Sequence, residues 1–395
     1  MPIRNAERAA KMDELVASST GFLSYLRTTW VWPGIAEVGQ FIGTHLISGM
    51  VPAFLIAGAI AVFLDKARIT RLMGAKANPL ISFPVAAFSG GLLTVCSCGV
   101  IPIFTGIMTR GAGSGPAFTF LFAAPAINLI ALTYTLSLMG LEFALGRVVF
   151  VMVCAVFIGL GIRLLFADPP EVPADMISYA DDDNPRTDFQ MAVFFGMLIF
   201  LMLTSTGYFD IWIQGKTLSA FEGGLTGLQG TPLQRLLPKL FMLLFEAGII
   251  FIMLKQWFRP DEAKQWLAKA WSLFVMIFPK VLLGIFLSGL LAAAFPLSRF
   301  MVYFDDNSVR ANLLVSIIGA MSYFGTIVGV NVVATMTHFG MHSGPAMAFL
   351  LSGPSVSLPE ILALLPIIGR RKAVVYFFLV AVSTTISGLL FGMLF

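Results

Sequence analysis

Thr94-Val-Cys-Ser-Cys-Gly-Val-Ile-Pro102, Arg110-Gly-Ala-Gly-Ser-Gly-Pro116 and Ala124-Pro-Ala-Ile-Asn128-Leu129 punctuate one of the most apolar parts of the chain. Lipid cannot hydrogen-bond the backbone groups that a proline or glycine break sets free. An interrupted helix at membrane depth therefore survives only where protein or a water-filled cavity satisfies it. Such a broken segment is a candidate binding site, because transporters build theirs from discontinuous helices near the bilayer midplane.

The surrounding composition requires a membrane setting. The chain is 58 % hydrophobic and 12 % charged, and its apolar runs repeatedly reach the roughly 20 residues that cross a bilayer as a helix. Its positive balance lies in short Lys/Arg-rich connections rather than on one basic face, which speaks for membrane orientation and against nucleic acid. Three cysteines in apolar surroundings cannot make a disulfide framework. The first residues carry charges without the apolar core of a secretory signal.

The expected class is an all-α polytopic membrane protein of two related repeats with broken or re-entrant helices at the midplane and about 8 to 10 spans. Residues 1–38 read as a tail and interfacial helix, 39–166 as the first repeat and 167–188 as an acidic linker. Residues 189–270 read as connecting helices with a basic loop, and 271–395 as the second repeat. Phe41 to Leu64 reads as the first span. Pro79–Met108, broken near Cys96 to Pro102, and Gly115–Met139, broken near Pro125 and Asn128, are each a discontinuous span or a re-entrant hairpin.

The repeat is visible in the residues. Ser114-Gly-Pro-Ala117, Phe120-Leu121 and Pro125 recur at the same spacing as Ser343-Gly-Pro-Ala346, Phe349-Leu350 and Pro354. One basic cluster (Lys66, Arg68, Arg71, Lys76) follows the span with Pro52, and the other (Lys255, Arg259, Lys264, Lys269) precedes the span with Pro279. Under the positive-inside rule this favours inverted repeats. Arg370-Arg371-Lys372 complicates this assignment, because its side depends on whether the two broken segments of each half cross fully.

Cys96-Ser97-Cys98 is the sharpest chemical signal. Side chains two apart on a regular helix point to nearly opposite faces, so two thiols can share one ligand only where the backbone is extended or broken. Gly99 and Pro102 supply a break. A thiolate pair is a soft donor set for Cu(I), trivalent arsenic or mercury; equally, cysteine is a small residue well suited to a packed core.

The run Cys-Ser-Cys-Gly-Val-Ile-Pro, the Gly-rich turn after Arg110 and the Phe-Leu-x-x-x-Pro strings of both halves resemble the YraQ/ArsP-like permease family. The resemblance implies a permease that exports trivalent organoarsenicals or arsenite, with Cys96 and Cys98 as thiol ligands for the metalloid. It gives Pro102, Gly113, Gly115, Pro125 and Pro354 a shaping role. This chain departs from the family pattern at Ala124-Pro-Ala-Ile-Asn128, at Pro354-Ser-Val-Ser357 and at Gly325-Thr-Ile-Val-Gly329, where relatives often carry a Cys and a Pro.

Further candidates come from polarity at membrane depth. Asn128, Asn331 and Ser355 can contact cargo or bond another helix. Glu246, His338 and Glu360 are candidates for proton coupling, against the plainer reading of groups satisfied by neighbouring helices. Cys154 offers a third thiol or a packed one, and Arg147 and Lys280 read as snorkelling residues near span ends. Gly111 to Pro116 lacks the lysine of a phosphate loop, which excludes nucleotide there. No cofactor is expected. The expected partners are lipid and a small-molecule or metalloid cargo, in the inner cell membrane. The alternatives are a permease for another solute, anion or soft metal ion with structural cysteines, and a membrane thiol-redox protein using Cys98.

Overall fold

A computed structural model describes residues 31–44, 50–63, 66–75, 77–93, 97–166, 187–205, 232–294, 303–323 and 326–395. Among these residues the chain is helical throughout. The helices are α1 (Trp32–Thr44), α2 (Val51–Phe63), α3 (Lys66–Met73), α4 (Pro79–Leu93), α5 (Ser97–Thr109), α6 (Ser114–Ala126) and α7 (Leu129–Leu165). They continue as α8 (Asp188–Ser205), α9 (Pro232–Trp257), α10 (Pro260–Ala294), α11 (Val309–Met321), α12 (Thr326–His338), α13 (Ser343–Ser355) and α14 (Leu358–Leu394). Three of them, α7, α10 and α14, are long and apolar enough to cross a membrane unaided. The protein is a polytopic membrane protein.

The duplication read from short strings extends to whole elements. Helices α5, α6 and α7 recur as α12, α13 and α14 at one offset of 229 positions (97 to 326, 114 to 343, 129 to 358). Even the irregularities obey it: Gly111 and Gly340 turn at φ 92° and 102°, and Gly140 and Gly369 break α7 and α14 at φ 89° and 79°. A positive φ is cheap only for glycine. Each of these two helices is therefore a short arm (129–139; 358–368) followed by a long one (141–165; 370–394).

The first arm completes a broken span. Helix α6 ends at Ala126, two residues intervene, and the next arm starts with Leu132 N–H donating to the Asn128 carbonyl; in the second repeat Ile361 N–H donates to the Ser357 carbonyl. The long arm then runs back along its partner, with Gly159 against Gly115 and Gly388 against Gly344. A Cβ on Gly159 would lie 2.6 Å from the Gly115 carbonyl oxygen, and one on Gly388 would lie 2.8 Å from that of Gly344.

Helices α4 and α5 form a re-entrant hairpin. Helix α4 runs parallel to α6: Phe83 lies beside Gly115, Gly90 beside Ala124 and Gly91 beside Ile127. A tight turn at Arg110–Gly113 joins the end of α5 to the start of α6. Both arms thus meet the surface at the same end. Their 15 and 13 residues span only about 20 Å each, short of the roughly 30 Å hydrocarbon core. Helices α11 and α12 repeat the arrangement, with Gly319 against Gly353.

The two repeats are inverted. The equivalent long arms of α7 and α14 pack antiparallel, since Gly146 meets Phe391, Cys154 meets Ser387 and Gly161 meets Leu379. Helices α1 and α2 likewise run antiparallel to α10, with Gly34 on Phe286, Phe54 on Phe274 and Gly58 on Ala270. Helix α1 starts at Trp32, ahead of the expected first span at Phe41, and residues 45–49 are outside the described set.

The basic clusters then fall on one side. Lys372 lies over the Phe166 ring near Arg163, and Phe63 packs on Phe258 and Trp266 beside Arg259 and Lys264. Arg110 donates to the Ala61 carbonyl at the end of α2. Because α13 and the first arm of α14 cross together, Arg370–Lys372 joins the other basic groups on the face that the positive-inside rule assigns to the cytoplasm.

Candidate functional site

The interruptions lie inside protein, not against acyl chains. All thirteen residues of α6 are buried, as is α13 from Gly344 to Ser355. Helix α6 packs on α13, and one side chain bridges them. The Tyr376 ring sits edge-on to Phe118 of α6 at 5.2 Å, while its hydroxyl donates to the Ser355 carbonyl at 3.3 Å.

That last bond has a counterpart. Arg147 is Tyr376 shifted by the repeat offset (147 to 376), and its Nε donates to the Ala126 carbonyl at 2.9 Å, Ala126 being the counterpart of Ser355. Each long arm therefore sends one polar side chain to the last carbonyl of the broken helix. The carbonyls at a helix C-terminus have no intrahelical partner and carry partial negative charge, so a guanidinium or hydroxyl donor is favoured there. Arg147 also donates to Thr135 Oγ1 at 3.0 Å and is 0 % exposed. It does not snorkel: the Gly140 break starts its arm at residue 141, so residue 147 stands well inside the bundle.

The candidates distribute as follows. Cys96 lies outside the described residues; Ser97 and Cys98 open α5, and only their backbone is described. The flanks are informative, because Gly91 at the end of the incoming arm lies against Ile127, next to Asn128. Pro102, Pro125 and Pro354 are buried inside helices α5, α6 and α13. Asn128 is buried in the first break, and Ser355 is buried at the second with its hydroxyl donating to the Leu351 carbonyl at 2.6 Å.

Asn331 sits apart from the breaks, accepting from the Tyr134 hydroxyl at 3.0 Å and tying α12 to the first arm of α7. His338 is exposed at the end of α12. His342 caps α13 through the Gly344 amide. Glu246 is buried between α9 and α8, where Thr204 donates to it at 2.7 Å, away from both repeats' interruptions. Glu360, 1 % exposed, lies in the first turn after the second break. Sequence reasoning missed Arg147 and Tyr376 as holders of the breaks. Applying the offset of the Ser-Gly-Pro-Ala string to Arg147 would have paired them.

Comparison with known proteins agrees with this architecture. The ArsP_1 family model, described as a predicted permease, matches residues 34–393. The chain belongs to this family. The UPF0718 protein MJ0584 of Methanocaldococcus jannaschii is 36 % identical over 363 residues, covering 91 % of this chain and 95 % of that protein. The UPF0718 protein YcgR of Bacillus subtilis is 31 % identical over 81 residues, 20 % of this chain and 27 % of its own. A putative two-component membrane permease complex subunit of Streptococcus mutans is 28 % identical over 95 residues, 24 % of this chain and 28 % of its own. No solved structure matches. The protein is a multi-pass membrane permease.

Proposed function

We propose that this permease exports a small thiophilic solute, a trivalent organoarsenical or arsenite, across the inner cell membrane through the region where hairpin α4–α5 meets the α6 break. The observation that carries the reading is the packing of Gly91 on Ile127. It brings the end of α4, the arm that precedes Cys96 and Cys98 in sequence, alongside an interrupted helix buried at the bundle centre. Soft thiolates at a backbone break suit a trivalent arsenic centre, which exchanges oxygen or thiol ligands for protein sulfur.

The test is uptake of trivalent methylarsenical into everted vesicles. Cys96→Ser with Cys98→Ser should abolish accumulation while protein level and monodispersity are kept. Undiminished transport by that double variant would remove the thiols from the mechanism.

A second reading is favoured by one observation. Arg147 Nη2 is buried with no hydrogen-bond partner, beside the Ala126 carbonyl. A guanidinium at a midplane break is also the recognition group of an anion site. On that reading the cysteines pack, Cys→Ala changes are tolerated, and a simple anion competes for transport.

A further inference from the structure

We propose that Glu360 is the coupling-ion site of this transporter, taking up a proton from one side of the membrane and releasing it on the other in exchange for cargo. The inference rests on the reading of the interrupted helices as the cargo path.

Ser357-Leu-Pro-Glu360 has the spacing of a capping box, in which the serine hydroxyl accepts from the third amide of the helix and the glutamate reaches back to the serine's own amide. Here the box is open. Ser357 makes no side-chain cap bond, and Ser357 Oγ and both Glu360 carboxyl oxygens are buried without a hydrogen-bond partner. The Ser357 amide, the donor that the box offers its glutamate, reaches the carboxyl only in a loose contact outside full hydrogen-bond geometry. An ionised carboxyl with no partner is among the costliest groups to hold in an apolar interior, so it must be neutralised by something it binds.

The neighbouring helices do not supply that partner. On α10, Gly284 packs so closely on Pro359 that a Cβ would collide with it, and Lys280, one turn earlier, donates to the Met276 carbonyl. On the long arm of α14, Tyr376 donates its proton to the Ser355 carbonyl. On α7, Arg147 bonds Ala126 and Thr135 through Nε and Nη1, its Nη2 makes no hydrogen bond to the carboxyl, and Cys154 bonds Ser387. Helix α11 brings Arg310, which is exposed at its start, and α5 also packs on α14. None of these groups is hydrogen-bonded to the carboxyl.

The first repeat has no equivalent. The position matching Glu360 is Ala131 (131 to 360), buried and apolar. A group that serves only to shape the break would be expected in both repeats. A carboxyl present in one, at the interruption and unpaired, is where a coupling ion belongs.

The test has a cargo-independent arm. Dicyclohexylcarbodiimide, an apolar reagent that adds to protonated carboxyls in membranes, should label Glu360 in the reconstituted protein. Mass spectrometry should find labelling that falls as pH rises, is unaffected by sodium, and is absent in Glu360→Gln. No labelling, labelling independent of pH, or protection by sodium would overturn the proton site. In proteoliposomes, Glu360→Gln should lose pH-driven accumulation of methylarsenical on the order of tenfold more than it loses methylarsenical exchange without a gradient. Equal loss of the two would also overturn it. Wild-type protein that moves no methylarsenical would refute the cargo assignment, while the labelling would still decide Glu360.

Discussion

The two repeats solve the same backbone problem with different chemistry. Both break a buried helix after an internal proline, both restart it two residues later, and both hold its last carbonyl from the returning arm. The first repeat does this with a charged guanidinium on Ala126 and places Asn128 in the gap. The second uses the neutral Tyr376 hydroxyl on Ser355, with Ser357 in the gap and Glu360 just beyond. The entry of the second hairpin is held by polar groups, Asn312 bonding Asn307 and Ser316 meeting Thr384 and Thr385. The equivalent positions of the first are Phe83 and Ala87, both buried apolar residues. Backbone geometry is therefore the shared requirement, and the side chains at equivalent places have specialised.

The largest expected effects fall on that shared backbone. Gly159 and Gly388 carry the crossing of the broken helix with its returning arm, and any side chain there meets carbonyl oxygen that cannot move aside. Gly159→Leu and Gly388→Leu should each cost more than about 3 kcal/mol, seen as loss of monodisperse protein in detergent. Gly161 faces only the flexible end of Leu379. Gly161→Leu should cost far less, measured as melting temperature. Tolerance at Gly388 with intolerance at Gly159 would show that the repeats do not share their packing.

The holders of the breaks come next and should differ. Arg147→Met removes two charge-assisted bonds and strands the Ala126 carbonyl, for an expected loss of about 3 kcal/mol, whereas Tyr376→Phe removes one long neutral bond, for about 1 kcal/mol. Thermal unfolding of the two variants in one detergent checks the order. Equal losses would mean that the guanidinium charge contributes nothing beyond its geometry.

Some of this was legible from residues alone, and the reasons for the rest are physical. Pro125 and Pro354 announce the breaks because proline cannot donate within a helix, and the recurrence of Ser-Gly-Pro-Ala at one spacing announces the duplication. Whether Pro79–Met108 crosses or turns back is not encoded in hydropathy, since two half-length arms are as apolar as one full span. Only the parallel packing of α4 on α6 decides it. Gly140 leaves no trace in periodicity either, yet its positive φ moves Arg147 from an apparent span end into the interior. Glu246, a carboxylate inside a span, attracts a functional reading from sequence alone, and only the packing of its helix on α8 shows that it stands away from the interruptions.

The smallest expected effect separates the third cysteine from the other two. Cys154 stands where equivalent arms cross antiparallel, 1 % exposed, with its Sγ 3.1 Å from Ser387 Oγ and Ser383 also close by. Serine can keep that contact at nearly the same volume, so Cys154→Ser should change stability by no more than about 1 kcal/mol. Methylarsenical transport should be unchanged, and the native thiol should resist a charged alkylating reagent that reacts with Cys96 or Cys98. Burial between two packed arms leaves no path for a ligand to reach this sulfur without parting the repeats. Were Cys154→Ser to lose transport as completely as the double Cys96 and Cys98 change, the arms would have to separate during the cycle. The inter-repeat crossing would then be a moving surface, not a fixed one.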